Sequence, residues 1–375
     1  MDLQVHVPGL GSASGSGSDS GSGSDSGSDS DSGQDRRYTR PVKRISLLVL
    51  AIPLYASCVG DEPQVQPSGG GVDASSPNSD AGADAALDVV SDSTTPLEAA
   101  PDTASPRRCD PNKAFDAPTL ATGVNQLGTN DYDARLSPDE LTIYFGSDRN
   151  ADRLYVATRA STSQSFGAPA VVNINATRPS NPTVSGDQLM LVLQENPIGI
   201  PVNISVSTRQ SLVATWDPPT AIANVTNPGG TLSPYLLADK SFLYYVQESG
   251  GGAIKQSQVV AGQFQPGSDV AGIASANNDG SPVVTPDNLT IFWSSSRSDG
   301  SPKGGSDIWV AHRSKIADSF SGVTNAAELN TPATESPSWI SPDGCVLYLT
   351  SGRAAVAGVD AAGGEEHIWI AKRPL

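Results

Sequence analysis

Histidine and cysteine are scarce, at three residues each in 375, and there are only two methionines. One of the histidines, His6, lies in a polar N-terminal stretch, which leaves His312 and His367 for any folded part. No His-x-x-x-His or Cys-x-x-Cys spacing occurs, and no Ser-His-Asp or Cys-His set suggests itself. Metal and cofactor sites are therefore not expected. Aromatic residues make up 6% of the chain and charged residues 17%, with a net charge of −17. Such an acidic surface repels nucleic acid and anionic lipid. Long apolar runs are also missing: the one from Ile45 to Leu54 falls short of the roughly 20 residues that a membrane-spanning helix needs.

The first quarter of the chain lacks the means to build a core. Residues 1–35 are almost entirely Gly, Ser and Asp, and residues 59–108 are rich in Ala, Ser, Asp, Pro and Thr without an aromatic side chain. With nothing apolar to offset the entropy of ordering, both are expected to be disordered, the second as a linker. Between them, residues 36–58 carry a basic flank (Arg36, Arg37, Arg40, Lys43, Arg44), the short apolar run, and small residues ahead of Cys58. That is the layout of a secretory signal peptide. The signal begins unusually late, which points to a translation start further downstream, with Val42 as the candidate.

Residues 109–375 hold what the rest of the chain lacks, and they hold it periodically. A turn aspartate recurs at Asp139, Asp187, Asp239, Asp287 and Asp343. An aliphatic strand opener recurs at Leu154, Ile204, Ile254, Ile308 and Ile368. A lone aromatic in a polar stretch recurs at Phe115, Phe166, Trp216, Phe264 and Phe320. Three series that share a period of about 50 residues mark a repeat architecture. Each turn is followed by a β-branched and aromatic run such as "LTIYFGS" or "CVLYLTS", the pattern of a strand buried on both faces. Units of this length made of four strands are blades, so the fold class expected is all-β: a five-bladed β-propeller of four-stranded antiparallel blades. The last unit ends after its third strand, and residues 115–122 are a spare copy of the missing outer one. Pairing the two closes the ring.

Closure also brings two cysteines within reach. Cys109 precedes the spare strand and Cys345 opens the second strand of the last blade, so a disulfide is expected between them. It would join positions 236 apart and contribute on the order of 4 kcal/mol by loop entropy.

Two resemblances sharpen this picture. Leu54-Tyr55-Ala56-Ser57-Cys58 is similar to a bacterial lipobox, which implies lipidation at Cys58; Tyr55 departs from the usual Leu. "SWISPDGCVLYLTSGR" with "EEHIWIAKR", and "VVTPDNLTIFWSSSRSDG" with "GGSDIWVAHR", resemble the WD40-like repeat of TolB-type propellers. Units one, four and five match it, with Arg149, Arg297 and Arg353 at the Ser-x-Arg position, while units two and three are degenerate. TolB-like propellers commonly have six blades, so a count of five departs from the family. Propeller lyases similar to TolB cluster histidines around a metal, and two histidines on third strands do not supply such a cluster.

Repeated polar residues read first as structure: the Asp caps its turn, and the Arg pairs with a carboxylate such as Asp307. The acids that open inner strands, Asp131, Asp133, Asp279 and Glu335, lie near one channel mouth and are the candidate ligand-binding set, for a cation or a basic peptide. The expected function is a non-catalytic, monomeric envelope lipoprotein that binds an envelope protein or peptide and touches membrane only through its lipid. The rival is a secreted propeller enzyme acting on a glycan. Several carboxylates converging within about 10 Å on one mouth, with perturbed pKa values, would favour the rival; scattered, solvated ones would favour the scaffold.

Overall fold

A computed structural model of the chain describes residues 108–248, 252–355 and 364–375. The polar tail, the signal segment with Cys58, and the linker up to residue 107 lie outside the described residues.

The described residues form five antiparallel sheets and no helix. Blade one is built of β2 (Asp131–Leu136), β3 (Thr142–Ser147), β4 (Arg153–Thr158) and β5 (Ala170–Val171), counted from the axis outwards. Blade two follows with β6 (Pro179–Val184), β7 (Met190–Glu195), β8 (Asn203–Thr208) and β9 (Thr220–Ala221). In blade three, β10 (Thr231–Leu236), β11 (Phe242–Gln247) and β12 (Ala253–Val260) are edged by two short strands, β13 (Gln263–Phe264) and β14 (Ser268–Asp269). Blade four comprises β15 (Asp279–Val284), β16 (Thr290–Ser295), β17 (Asp307–His312) and β18 (Ser321–Asn325). Blade five comprises β19 (Glu335–Ile340), β20 (Val346–Ser351), β21 (His367–Lys372) and, outermost, β1 (Thr119–Leu120). Consecutive inner strands touch in turn, and β19 touches β2, so the ring is closed. The five-bladed propeller read from the sequence is the fold observed.

The closure is built as the repeat demands. Thr119 and Leu120 pair with Ile370 and Trp369. The Asp116 amide donates to the Lys372 carbonyl and the Ala121 amide to the Ile368 carbonyl. A disulfide joins Cys109 to Cys345, with Cα atoms 5.6 Å apart. The guanidinium of Arg373 lies 4.3 Å above the Phe115 ring and donates to the Pro111 carbonyl. That stack repeats: Arg159 covers Phe166 at 4.4 Å, Arg209 covers Trp216 at 4.3 Å and Arg313 covers Phe320 at 4.3 Å. In four of the five units the lone aromatic is thus the seat of the arginine ending a third strand. Blade three has Val259 at that place.

The second strands are the core of each blade. Ile143, Phe145, Leu191, Leu193, Leu243, Tyr244, Trp293 and Leu347 are all fully enclosed, on both faces of their sheets. Close packing of such sheets against their neighbours makes a large-to-small change there costly, about 2–5 kcal/mol for an aliphatic or aromatic residue.

The turn aspartates act as expected. Asp139, Asp187, Asp287 and Asp343 each accept from the Ser or Thr hydroxyl two residues before and from the amide two residues after. The residue after each of the five turn aspartates, Asp239 included, takes a positive φ; in blade five it is Gly344, and in the other four a side-chain-bearing residue tolerates it.

One feature was not read from the sequence. Every inner strand carries a register shift at its centre. Asp133, Asn181, Ser233 and Ser281 occupy the left-handed region there, at φ between 44° and 55°. Blade five has Pro337 instead, whose ring forbids that φ. The bulge turns the backbone of each inner strand where it approaches the axis.

Candidate functional site at the strand-start mouth

The five inner strands begin at one mouth of the channel. Three of the four acids singled out in the sequence are spent there on holding the blades. Asp131 pairs with Arg149 and accepts from the Gln126 amide. Asp279 faces Arg297 at 3.8 Å and accepts from the Ser275 amide. Glu335 faces Arg353 at 3.3 Å and accepts from the Thr331 amide and the Ser351 hydroxyl. In all three blades the same arginine also donates to a loop carbonyl, that of Val124, Ile273 or Leu329. It stacks against aromatic rings of its own blade as well. The repeated acid and the repeated arginine are therefore two halves of one buried latch. Asp307, the partner expected from the sequence, instead accepts from the amides of Lys303 and Gly304 and from Asn325. Antiparallel register is the reason: Asp279 lies opposite Ser295, two residues before Arg297, whereas Asp307 sits on the far side of that serine.

The degenerate blade two has rebuilt part of this device. Pro179 stands where the acid would open the strand, and Glu195 at the end of β7 accepts from the Thr177 amide in its place.

Asp133 differs from the other three. It lies in the bulge of β2, buried, with its amide donating to the Thr350 hydroxyl of blade five. The side chain before it, Tyr132, packs flat on Gly146, where an added Cβ would come within 2.4 Å of the ring. Burial, followed by the negative charges of Asp152, Asp133, Glu366 and Asp148, holds the Tyr132 phenol well above its ordinary value. Four carboxylates thus lend negative charge to the surroundings of one tyrosine. Asp148 and Asp152 flank the turn between β3 and β4, and Glu366 immediately precedes β21.

The cluster is braced across three blades. Asn130 donates to both carboxylate oxygens of Asp148, at 2.9 and 2.6 Å, and accepts from the Glu366 amide at 3.0 Å. The Glu366 carbonyl accepts from the Asp131 amide. Asp152 is bridged by Arg178 of the following unit at 2.7 and 2.9 Å. No other blade repeats the arrangement, since the positions equivalent to Asp133 are Asn181, Ser233, Ser281 and Pro337. An asymmetric group of acids at one end of a pseudo-symmetric ring has the makings of a single site.

Among the described residues, no group of three or more His, Cys, Asp or Glu is placed to hold a metal ion. His312 sits on the outer side of blade four with its ring beside the Thr290 hydroxyl, and burial, then the charge of Arg373, lowers its pKa. His367 is enclosed within blade five. The acid set read from the sequence contributes Asp133 to the cluster. Tyr132, Asp148, Asp152 and Glu366 were missed, because none of them recurs from unit to unit.

No protein-family model matches the chain, and no curated protein matches it in sequence. Solved structures do resemble it. A protein described as TolB from Agrobacterium tumefaciens is 14% identical over 70% of this chain and 99% of its own, with a TM-score of 0.44. An endo-arabinase from Bacteroides thetaiotaomicron is 14% identical over 68% of this chain and 98% of its own, with a TM-score of 0.45. An α-L-arabinofuranosidase from Podospora anserina is 12% identical over 71% and 98%, also at 0.45. The TolB-type resemblance thus extends to the propeller fold. The expectation of a non-catalytic scaffold is corrected by the same comparison: beside two TolB proteins, six other solved structures that resemble this chain are glycoside hydrolases. At this level of identity the likeness concerns the fold, so the chemistry rests on the site.

Proposed function

We propose that this protein is an exported propeller enzyme that cleaves a glycan at the strand-start mouth of blade one. The observation that carries the reading is the hydrogen-bonded set at the start of blade one, in which Asn130 holds the Asp148 carboxylate and the Glu366 backbone, with Asp133 and Asp152 adding negative charge near Tyr132. Glycosidic cleavage needs two carboxyl groups in different roles. One protonates the departing glycosidic oxygen, and the other draws a proton from water or attacks the anomeric carbon. The C–O bond breaks, and water supplies a proton to one fragment and a hydroxyl to the other. Asp133, on the inner strand, and Glu366, at the rim of the neighbouring blade, are assigned these two roles. Asn130 is a positioning residue, since it holds both Asp148 and the backbone of Glu366.

Export is supported by the signal layout of residues 36–58 and by a disulfide that an oxidising compartment would sustain. A lipid on Cys58 would tether the enzyme to the envelope; labelling with a radioactive fatty acid, lost in Cys58→Ser, tests that tether.

The activity is tested by incubating the full chain with arabinan, arabinoxylan, galactan and pectin and measuring new reducing ends. Release from at least one polymer, by the wild-type chain, is the expected result. No release from any of them refutes the proposal.

A further inference from the structure

Towards the opposite mouth, one side chain reaches across from blade one to blades five and three. Arg135 leaves the inner strand of blade one and is 2% exposed. It donates to the Ser338 carbonyl of blade five and, at 3.4 Å, to the Pro234 carbonyl of blade three. Its guanidinium lies 4.9 Å over the Tyr235 ring. Blade three does not adjoin blade one in a five-membered ring, so the side chain crosses the axis. A buried guanidinium is costly unless its donors and charge are matched. Here the match is incomplete. The Nε–H has no hydrogen-bond partner. Two of the remaining contacts, to Ala134 and Pro234, are long at 3.3 and 3.4 Å. Burial lowers the Arg135 pKa, against the opposing charge of Asp133.

Above this side chain lies a cavity. Arg135 is its charged member, Tyr235 and Trp339 are part of its wall, and Pro138, Ala238, Pro286 and Pro342 belong to the exposed hairpin tips that rim it. Apolar walls around a guanidinium with unused donor capacity suit a small group of opposite charge, which can accept in the fork geometry of arginine.

We infer that this hairpin-side cavity is an oxyanion-binding site in which Arg135 receives a carboxylate or phosphate group. The site opens at the other end of β2 from Asp148 and Glu366, with Asp133 two residues from Arg135 on the same strand, and the inference does not depend on the glycan reading. An acidic ligand would enter between the proline-bearing turns, and its oxygens would take up the Nε–H and the weakly engaged Nη2.

Calorimetric titration of the full chain with acetate, inorganic phosphate and glucuronate, with glucose as the neutral control, tests this. Saturable binding of at least one anion and none of glucose is expected; which anion binds distinguishes a carboxylate from a phosphate ligand. Arg135→Lys should weaken that binding at least tenfold. Because that change also touches the core, Ala238→Trp on the exposed rim is the second variant: it should abolish binding while leaving the melting temperature unchanged. Absence of anion binding by the wild-type chain, or wild-type affinity in Ala238→Trp, overturns the inference and leaves Arg135 as a structural residue.

Discussion

Replacing Glu335 by Gln tests the latch that fastens the blades. The side chain is completely enclosed, faces Arg353 at 3.3 Å and receives three further donors, from the Thr331 amide and from the Thr331 and Ser351 hydroxyls. Glutamine is nearly isosteric, so no cavity opens. It removes the charge and points an NH2 group at groups that are themselves donors. Arg353, whose side chain is 13% exposed, is left without its counter-charge. Breaking one half of a buried pair costs about 3–5 kcal/mol. At roughly 2–4 °C per kcal/mol for a domain of this size, melting should fall by about 10 °C. The surface pair of Arg178 with Asp152, 51% and 32% exposed, supplies the contrast. Arg178→Ala should cost less than about 1 kcal/mol. Adding Arg353→Met to Glu335→Gln should recover part of the loss, since it removes the guanidinium left without a counter-charge, and the double-mutant cycle measures the coupling. Thermal unfolding followed by circular dichroism reads all five proteins: the wild type, Glu335→Gln, Arg353→Met, the double variant and Arg178→Ala. Glu335→Gln melting within 1 °C of the wild type would show that the acid does not hold the blade and would refute the latch.

Other outcomes follow from the closure and from the charges. Deleting residues 109–122 removes β1, Cys109 and Phe115 together, so unfolding of the whole propeller should shift downwards in one transition; a fraying end with an unchanged main transition contradicts closure. Thiol counting on the unfolded, unreduced chain should find Cys109 and Cys345 unreactive, and two reactive thiols at these positions would deny the disulfide. Arg373→Ala strips the cation from Phe115 and should cost about 1–2 kcal/mol in chemical denaturation, whereas no change would make the stack incidental. Partial burial pushes the Asp187 carboxyl up, but Lys240, Ser185 and the Leu189 amide together outweigh it and hold it down to about 2. A lowered folded-state value stabilises above the unfolded carboxylate range, so this contribution should vanish as pH falls from about 4 through 2. Lys240→Gln should flatten that part of the acid-unfolding curve, and an unaltered curve would show that the pair is screened out.

The period of the chain carried the architecture, because a blade can bury its strands only against copies of itself. The missing outer strand after Lys372, with its surplus copy at Phe115, gave the closure and with it the cysteine pairing. The latch was half legible. Its acids and arginines stood out as repeats, but their pairing depends on antiparallel register, and Asp307 looked as plausible in sequence as Asp279. Blade two hid its substitute altogether, since Glu195 comes from a different strand. What could not be read was whatever does not repeat. Arg135 is one residue among the five bulged strands, and Tyr132, Asp148, Asp152 and Glu366 meet only because blades five, one and two meet. Comparison between units finds the scaffold, and the departures from it hold the candidate chemistry.

The central claim is that the blade-one mouth cleaves a glycan through its clustered acids. The direct measurement is reducing-end release by the full chain and by its Asp133→Asn and Glu366→Gln variants, with melting temperatures recorded on the same samples. Each variant should lose at least a hundredfold in turnover while melting close to the wild type. Turnover in both variants equal to that of the wild type would contradict the account.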